Sequence, residues 1–138
     1  MSTMNCGLIG CGNIATDICT ALQQGDIPAQ LIALSDVNVE QANGLNDSFT
    51  LDAQVSSIDE TAASVDFLIE SAVAEVVPEV VEAAIMHRVD CLIMSVGGLL
   101  QHPELFERAR MNGVQIYMPS GALCGLDGVR SAMEAGLD

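Results

Sequence analysis

The stretch Asn5-Cys6-Gly7-Leu8-Ile9-Gly10-Cys11-Gly12-Asn13-Ile14-Ala15 decides the architecture. Residues 5 to 9 read as a buried strand, and the strand gives way at once to a turn of form G-x-G-x-x-A that opens a helix. Each residue type in that turn has a physical reason. Gly10 permits a tight reversal, Gly12 bares the backbone to a close ligand, and small Ala15 lets the helix lie against the strand. The first turn of the helix then offers unpaired N–H groups and a partial positive charge, a setting made for an anion.

Outward from the turn, the same alternation repeats. Helical periodicity runs from Asn13 to Gln24 and stops at Gly25 and Pro28. Residues 30–35 form a second apolar run that ends at Asp36. Asn38 is placed to cap a short helix reaching about Asn43, where Gly44 loosens it. A short strand near Ala53-Gln54-Val55 precedes a helix capped at Ser57, with Glu60 in capping-box position. Strands are expected at 66–70, 91–94 and 114–118, and helices at 78–86 (Pro78 in the first turn) and 103–111. Continuous apolar strands alternating with amphipathic helices indicate a parallel sheet covered on both faces. Six such units make an α/β fold, a doubly wound parallel six-stranded sheet of the Rossmann dinucleotide-binding type.

Asp36 stands 21 residues beyond Ala15, where an acidic side chain accepts hydrogen bonds from a ribose 2′-hydroxyl. The plain alternative is a turn or helix-capping aspartate. An acid here repels a 2′-phosphate and no arginine follows it, so NAD is favoured, with NADP possible. Ligands of a doubly wound sheet lie across the carboxyl ends of the strands. Ser71 and Ala72 at one end leave room for the adenosine ribose, and Ser95, Val96 and Gly97 at the next leave room for the nicotinamide. Either group also reads as an ordinary strand-ending turn.

Composition narrows the field from the other side. The 138 residues carry 19 Asp plus Glu against four cations, a net charge of -15, and all four cations are arginine. No basic footprint for nucleic acid can be assembled, nor a polybasic membrane contact. Without lysine there is no Walker A loop and no Schiff-base chemistry. No run approaches the ~20 apolar residues of a membrane span, and the N-terminus lacks a basic signal-peptide start. Five cysteines without C-x-x-C or zinc spacing read as free, buried thiols of a cytoplasmic protein. Cys11, inside the glycine turn, reads as a buried filler rather than a nucleophile. His87 and His102 read as surface or capping residues, and Glu79, Glu82, Glu104 and Glu107 as solvated helix faces. Neither a catalytic constellation nor a metal site is assigned. The acidic, lysine-free surface is consistent with adaptation to high salt.

Three segments together carry a family likeness. Residues 6–15, then Ser95-Val96-Gly97-Gly98-Leu99, then Ile116-Tyr117-Met118-Pro119-Ser120-Gly121-Ala122-Leu123-Cys124-Gly125-Leu126-Asp127 resemble the N-terminal half of L-aspartate dehydrogenases, along essentially the whole chain. The resemblance implies NAD(P)-dependent oxidative deamination of L-aspartate to iminoaspartate, feeding NAD biosynthesis. It implies that Gly10, Gly12, Asn13 and Ile14 hold the pyrophosphate, Asp36 the adenosine ribose, and Ser95, Val96 and Gly97 border the nicotinamide. The family's catalytic histidine belongs to a second domain, so no catalytic residue is assigned here. The expected organisation is a nucleotide domain over 1–119 and, over 120–138, the start of the crossover to a substrate domain that is absent. A helical pattern from Val129 to Ala135 is just beginning where the chain stops. The chain alone is expected to be inactive. The full-length enzyme is expected to take a small amino-acid substrate and to form a homo-oligomer, since an uncovered sheet edge favours association. Sugar dehydrogenases and homoserine dehydrogenases of similar fold place a lysine where this chain has Ser95-Val96-Gly97, and stand as alternatives. A non-enzymatic nucleotide-sensing or assembly domain is another, and a methyltransferase with a similar glycine turn a remote one.

Overall fold

A computed structural model describes residues 2–119 of the chain. The first strand, β1 (Met4–Ile9), lies between β2 (Ala29–Ser35) and β4 (Phe67–Glu70). Beyond β2 lies the short β3 (Gln54–Val55), and beyond β4 lie β5 (Asp90–Ile93) and β6 (Ile116–Tyr117). The order is therefore β3-β2-β1-β4-β5-β6, and every pairing is parallel. The order reverses between β1 and β4, which is where a doubly wound sheet opens its ligand crevice.

Five helices make the crossovers. They are α1 (Asn13–Gln24), α2 (Val39–Phe49), α3 (Ile58–Ser64), α4 (Val77–His87) and α5 (Glu104–Met111). Alternate residues of the strands feed two apolar layers. Leu8 and Leu34 join Ala15 and Cys19 of α1 with Ala42 and Leu45 of α2. Ile9, Leu68, Cys91 and Ile93 join the layer built by Val80, Val81 and Ala84 of α4 and Leu105 of α5. Gly7 is required by this packing, because a Cβ there would stand 2.6 Å from Cγ2 of Thr61 on α3.

The caps fall where the sequence puts them. The Asn38 side chain accepts from the N–H groups of Glu40 and Gln41, and Ser57 and Glu60 form a reciprocal capping box. Helix α2 departs from expectation, continuing through Gly44 to Phe49 instead of fading near Asn43. Leu45 is buried and Phe49 packs on the same layer. That burial, worth about 1.5–3 kcal/mol per large apolar side chain, outweighs the ~1 kcal/mol helix cost of one glycine. Thr50 in the left-handed region ends the helix. Strand β6 is shorter than expected, held to two residues ahead of Pro119. The glycine-rich stretch from Ser120 to Gly128 and the helical pattern from Val129 to Ala135 lie outside the described residues.

Candidate functional site

The cleft opens at the carboxyl ends of β1, β2 and β4. It has a volume of about 490 Å³, and Gly10, Cys11 and Gly12, Ser35, Asp36 and Val37, and Ser71, Ala72 and Val73 all line it. Gly10 has φ +90, and a Cβ on it would lie 2.7 Å from the Ala72 backbone, so glycine is needed twice over. Gly12 differs. The nearest atom to a Cβ built there is Nε2 of Gln41 at 3.7 Å, so its bare backbone faces open cleft.

Helix α1 begins at Gly12 without a side-chain cap, and its first intrahelical bond is Thr16 N–H to Gly12 O at 3.1 Å. The N–H groups of Asn13, Ile14 and Ala15 have no acceptor among the described residues. Both Asn13 and Ile14 are exposed. Unpaired donors at the positive end of a twelve-residue helix are the group a pyrophosphate satisfies.

Asp36 faces this turn. Its Oδ2 accepts from the Cys11 N–H at 2.8 Å and its Oδ1 from the Asn38 N–H at 2.8 Å. Each oxygen keeps a lone pair for a further donor. Gln41 donates through Nε2 to Cys11 O at 3.0 Å, so the turn is fixed from both sides. The Cys11 thiol is buried and directed at Ser35 O, 3.8 Å away. Burial, with the Asp36 charge adding to it, pushes that thiol up to about 12, which makes Cys11 a filler and not a nucleophile.

The hydroxyls expected to border a ligand turn inward. Ser71 Oγ donates to Gly10 O at 2.9 Å, and Ser95 Oγ donates to the Glu70 carboxylate at 2.9 Å. The cleft brings Gly10, Gly12, Asp36, Ser71 and Ala72 together, while Asn13 and Ile14, exposed at the start of α1, do not line it. Ser95 and Val96 do not line it. Gly97 borders a neighbouring hollow of about 280 Å³, with Gly98, Glu75, Gln101 and His102 among its other walls.

Sequence reasoning missed the apolar wall made by Val37, Ile58, Val73 and Val76. Val37 is 98% exposed and Val73 is 55% exposed, which is unusual for valine and was legible only as loop apolarity. It also missed Glu70, which is fully buried. Glu79, expected on a solvated face, is exposed but borders the cleft. Among the described residues no arginine lines the cleft. Arg108 pairs with Glu82 and Arg110 with Glu107, and Arg88 caps α4 in the left-handed region. His87 bonds Asp59 at 2.8 Å and His102 bonds Glu104 at 3.2 Å, both away from the turn.

A family model described as the NAD binding domain of homoserine dehydrogenase matches residues 10–119. The chain belongs to this family of NAD-binding domains. Among curated relatives, L-aspartate dehydrogenase of Methanosarcina mazei is 38% identical over 135 residues, covering 95% of the chain and 50% of the relative. That of Methanosarcina barkeri is 39% identical over 133 residues, covering 94% and 49%. This NAD-binding domain therefore spans about half the length of the curated relatives it matches. Among solved structures it resembles an oxidoreductase from Agrobacterium radiobacter in complex with NAD+, L-tartaric acid and magnesium. The TM-score is 0.81 at 18% identity, over 98% of the chain and 41% of that structure, a likeness of fold. No helix among the described residues is long and apolar enough to cross a membrane. The geometry fits the family's cofactor, since the bare Gly12 backbone, the uncapped α1 terminus and the Asp36 lone pairs meet in one cleft.

Proposed function

We propose that the chain is the NAD-binding half of an L-aspartate dehydrogenase-like oxidoreductase, which converts L-aspartate to iminoaspartate and feeds NAD biosynthesis. The observation that carries this reading is the bond from Cys11 N–H to Asp36, which sets the glycine turn beside a ribose-binding acid. Relatives named for that activity, similar along most of the chain, support it. In this reading residues 1–119 form the cofactor domain, and residues 120–138 lead toward a substrate domain within the relatives' remaining length.

In this reading the residues divide the cofactor among them. N–H groups of Gly12, Asn13 and Ile14 hold the pyrophosphate beside the Gly10 turn, without help from a cationic side chain among the described residues. Asp36 accepts from the adenosine ribose and disfavours a 2′-phosphate, so NAD is preferred to NADP. Val37, Ile58, Val73 and Val76 offer apolar faces to the flat adenine, and the backbone of Ser71 and Ala72 forms the floor beneath the ribose. Ser95, Val96 and Gly97 border the nicotinamide. When bound, NAD supplies the acceptor for the hydride of the substrate α-carbon. This chain's residues bind and orient; none is assigned to proton transfer. The protein is further read as a homo-oligomer and as cytoplasmic, the latter in keeping with the buried free thiols among the described residues.

Mixing the chain with L-aspartate and NAD and following NADH absorbance tests the reading. Saturable NAD binding with little turnover is expected. Robust turnover would place catalytic groups in this chain and contradict the assignment. The family model's own description favours homoserine as a second substrate; NADH produced from L-homoserine but not L-aspartate by the whole enzyme would decide for it.

A further inference from the structure

Glu70 closes β4 in the middle of the sheet, paired with Ile9 of β1 on one side and Ile93 of β5 on the other. None of it reaches solvent. A buried carboxylate persists only where donors replace water, and here four do. Oε1 accepts from the Ala72 N–H at 2.7 Å and the Ser95 hydroxyl at 2.9 Å. Oε2 accepts from the Ser95 N–H at 2.9 Å and the Met94 N–H at 3.1 Å.

The two loops gathered in this way are tied onward to the glycine turn. Ala72 fills the space that Gly10 leaves by lacking a Cβ, and Ser71 bonds Gly10 O. A continuous hydrogen-bonded rim thus runs from Asp36 through Cys11, Gly10, Ser71, Ala72 and Glu70 to Ser95. Ser95 leads into the 3-10 turn Val96–Leu99 and uses its hydroxyl on Glu70 instead of capping that turn. The Asp36 end of the rim does not touch Glu70, since the Asp36 carboxylate is held by the Cys11 and Asn38 N–H groups.

We infer that Glu70 is a positioning residue that fixes the Ser95–Gly97 turn against the Gly10–Gly12 turn, and so governs how the nicotinamide half of NAD is held without touching the cofactor. The inference rests on the reading of the cleft as the NAD site. All four partners are donors, which a carboxylate accommodates and an amide does not, since its NH₂ would face N–H groups.

Calorimetric titration of the full chain with NAD+ and with ADP, which carries only the adenosine and phosphate portion, tests it. Glu70→Gln is expected to weaken NAD+ by about five- to tenfold, the scale of one or two lost anchoring bonds, while ADP, which shares only the Ala72 floor with Glu70, weakens by about twofold. Ser95→Ala, which keeps three of the four donors, is expected to do the same to a smaller degree and to add nothing in the Glu70→Gln background. Parallel loss of both ligands would reduce Glu70 to a general structural residue and overturn the inference, as would unchanged NAD+ affinity. If Glu70→Gln does not fold, the NAD+ to ADP ratio of Ser95→Ala decides alone. A wild-type chain that binds neither ligand would instead overturn the NAD reading, and this inference with it.

Discussion

Asp36 holds the glycine turn and, in the proposed site, the ribose as well. Asp36→Ala removes the acceptor from the Cys11 and Asn38 N–H groups. A stability loss of about 1–3 kcal/mol is expected in denaturant titration. NAD affinity should fall roughly tenfold, and its advantage over NADP should narrow. An unchanged preference would contradict the role given to Asp36. The cysteines make a second residue-scale prediction. Burial is the main cause that raises Cys6 to about 11 and Cys11 and Cys91 to about 12, from an ordinary 9.0. Above pH 9 the unfolded thiols ionise first, so the folded state binds more protons and stability falls with rising pH. The contribution is complete below pH 9 and is lost between about 9 and 12. Denaturant midpoints across that range should decline, and alkylation at about pH 8 should spare Cys6, Cys11, Cys19 and Cys91 in peptide maps of the native chain. The placement of Asp36 beside the glycine turn was legible because it depends on spacing along the chain. Glu70 was not, because its donors on Met94 and Ser95 lie some 25 residues away and meet it only across the β4–β5 pairing. By sequence Ser71 and Ser95 are small residues that leave room, whereas tertiary contacts turn both hydroxyls onto neighbouring protein groups.

Elements were most legible where a local bond defines them. The Ser57–Glu60 capping box and the Asn38 cap are short-range chemistry, and both appear where the residues predict them. The end of α2 was misplaced because Gly44 is a local signal that the burial of Leu45 and Phe49 overrides. The two glycines Gly44 and Gly98 should therefore respond in opposite ways to the same substitution. A Cβ at Gly44 meets nothing within 4 Å, so Gly44→Ala should stabilise the chain by about 0.5–1 kcal/mol through helix propensity. A Cβ at Gly98 would collide with Ala74 O and stand 2.7 Å from Val77 Cβ. Gly98→Ala should lower the thermal midpoint and shift the turn it occupies. Thermal unfolding of the two variants beside the parent checks both signs, and a destabilised Gly44→Ala would show that the glycine is needed for a reason other than helix geometry.

At the scale of the whole molecule, a charge of -15 surrounds a cleft whose ligand carries phosphates. Of the arginines described, Arg108 pairs with Glu82 and Arg110 with Glu107, and none lines the cleft, so attraction there comes from the α1 terminus and the backbone. Long-range repulsion from the acidic surface opposes that local attraction and is screened by salt over a Debye length of about 8 Å at physiological ionic strength. NAD affinity should therefore rise with moderate salt, the reverse of a cofactor site built on lysine or arginine, and thermal stability should rise with it. The sequence carried the doubly wound order through its alternating periodicities, and it carried the sign of the field through composition. It could not show the rim that joins four strand ends, because that rim consists of contacts between loops. The central claim is that the Gly10–Gly12 turn, the α1 terminus and Asp36 form one NAD site. Calorimetric titration of NAD+ into the full chain tests it most directly: saturable one-to-one binding that tightens with added salt and weakens in Asp36→Ala is the expected result, and a folded chain that gives no binding heat at millimolar NAD+ would contradict it.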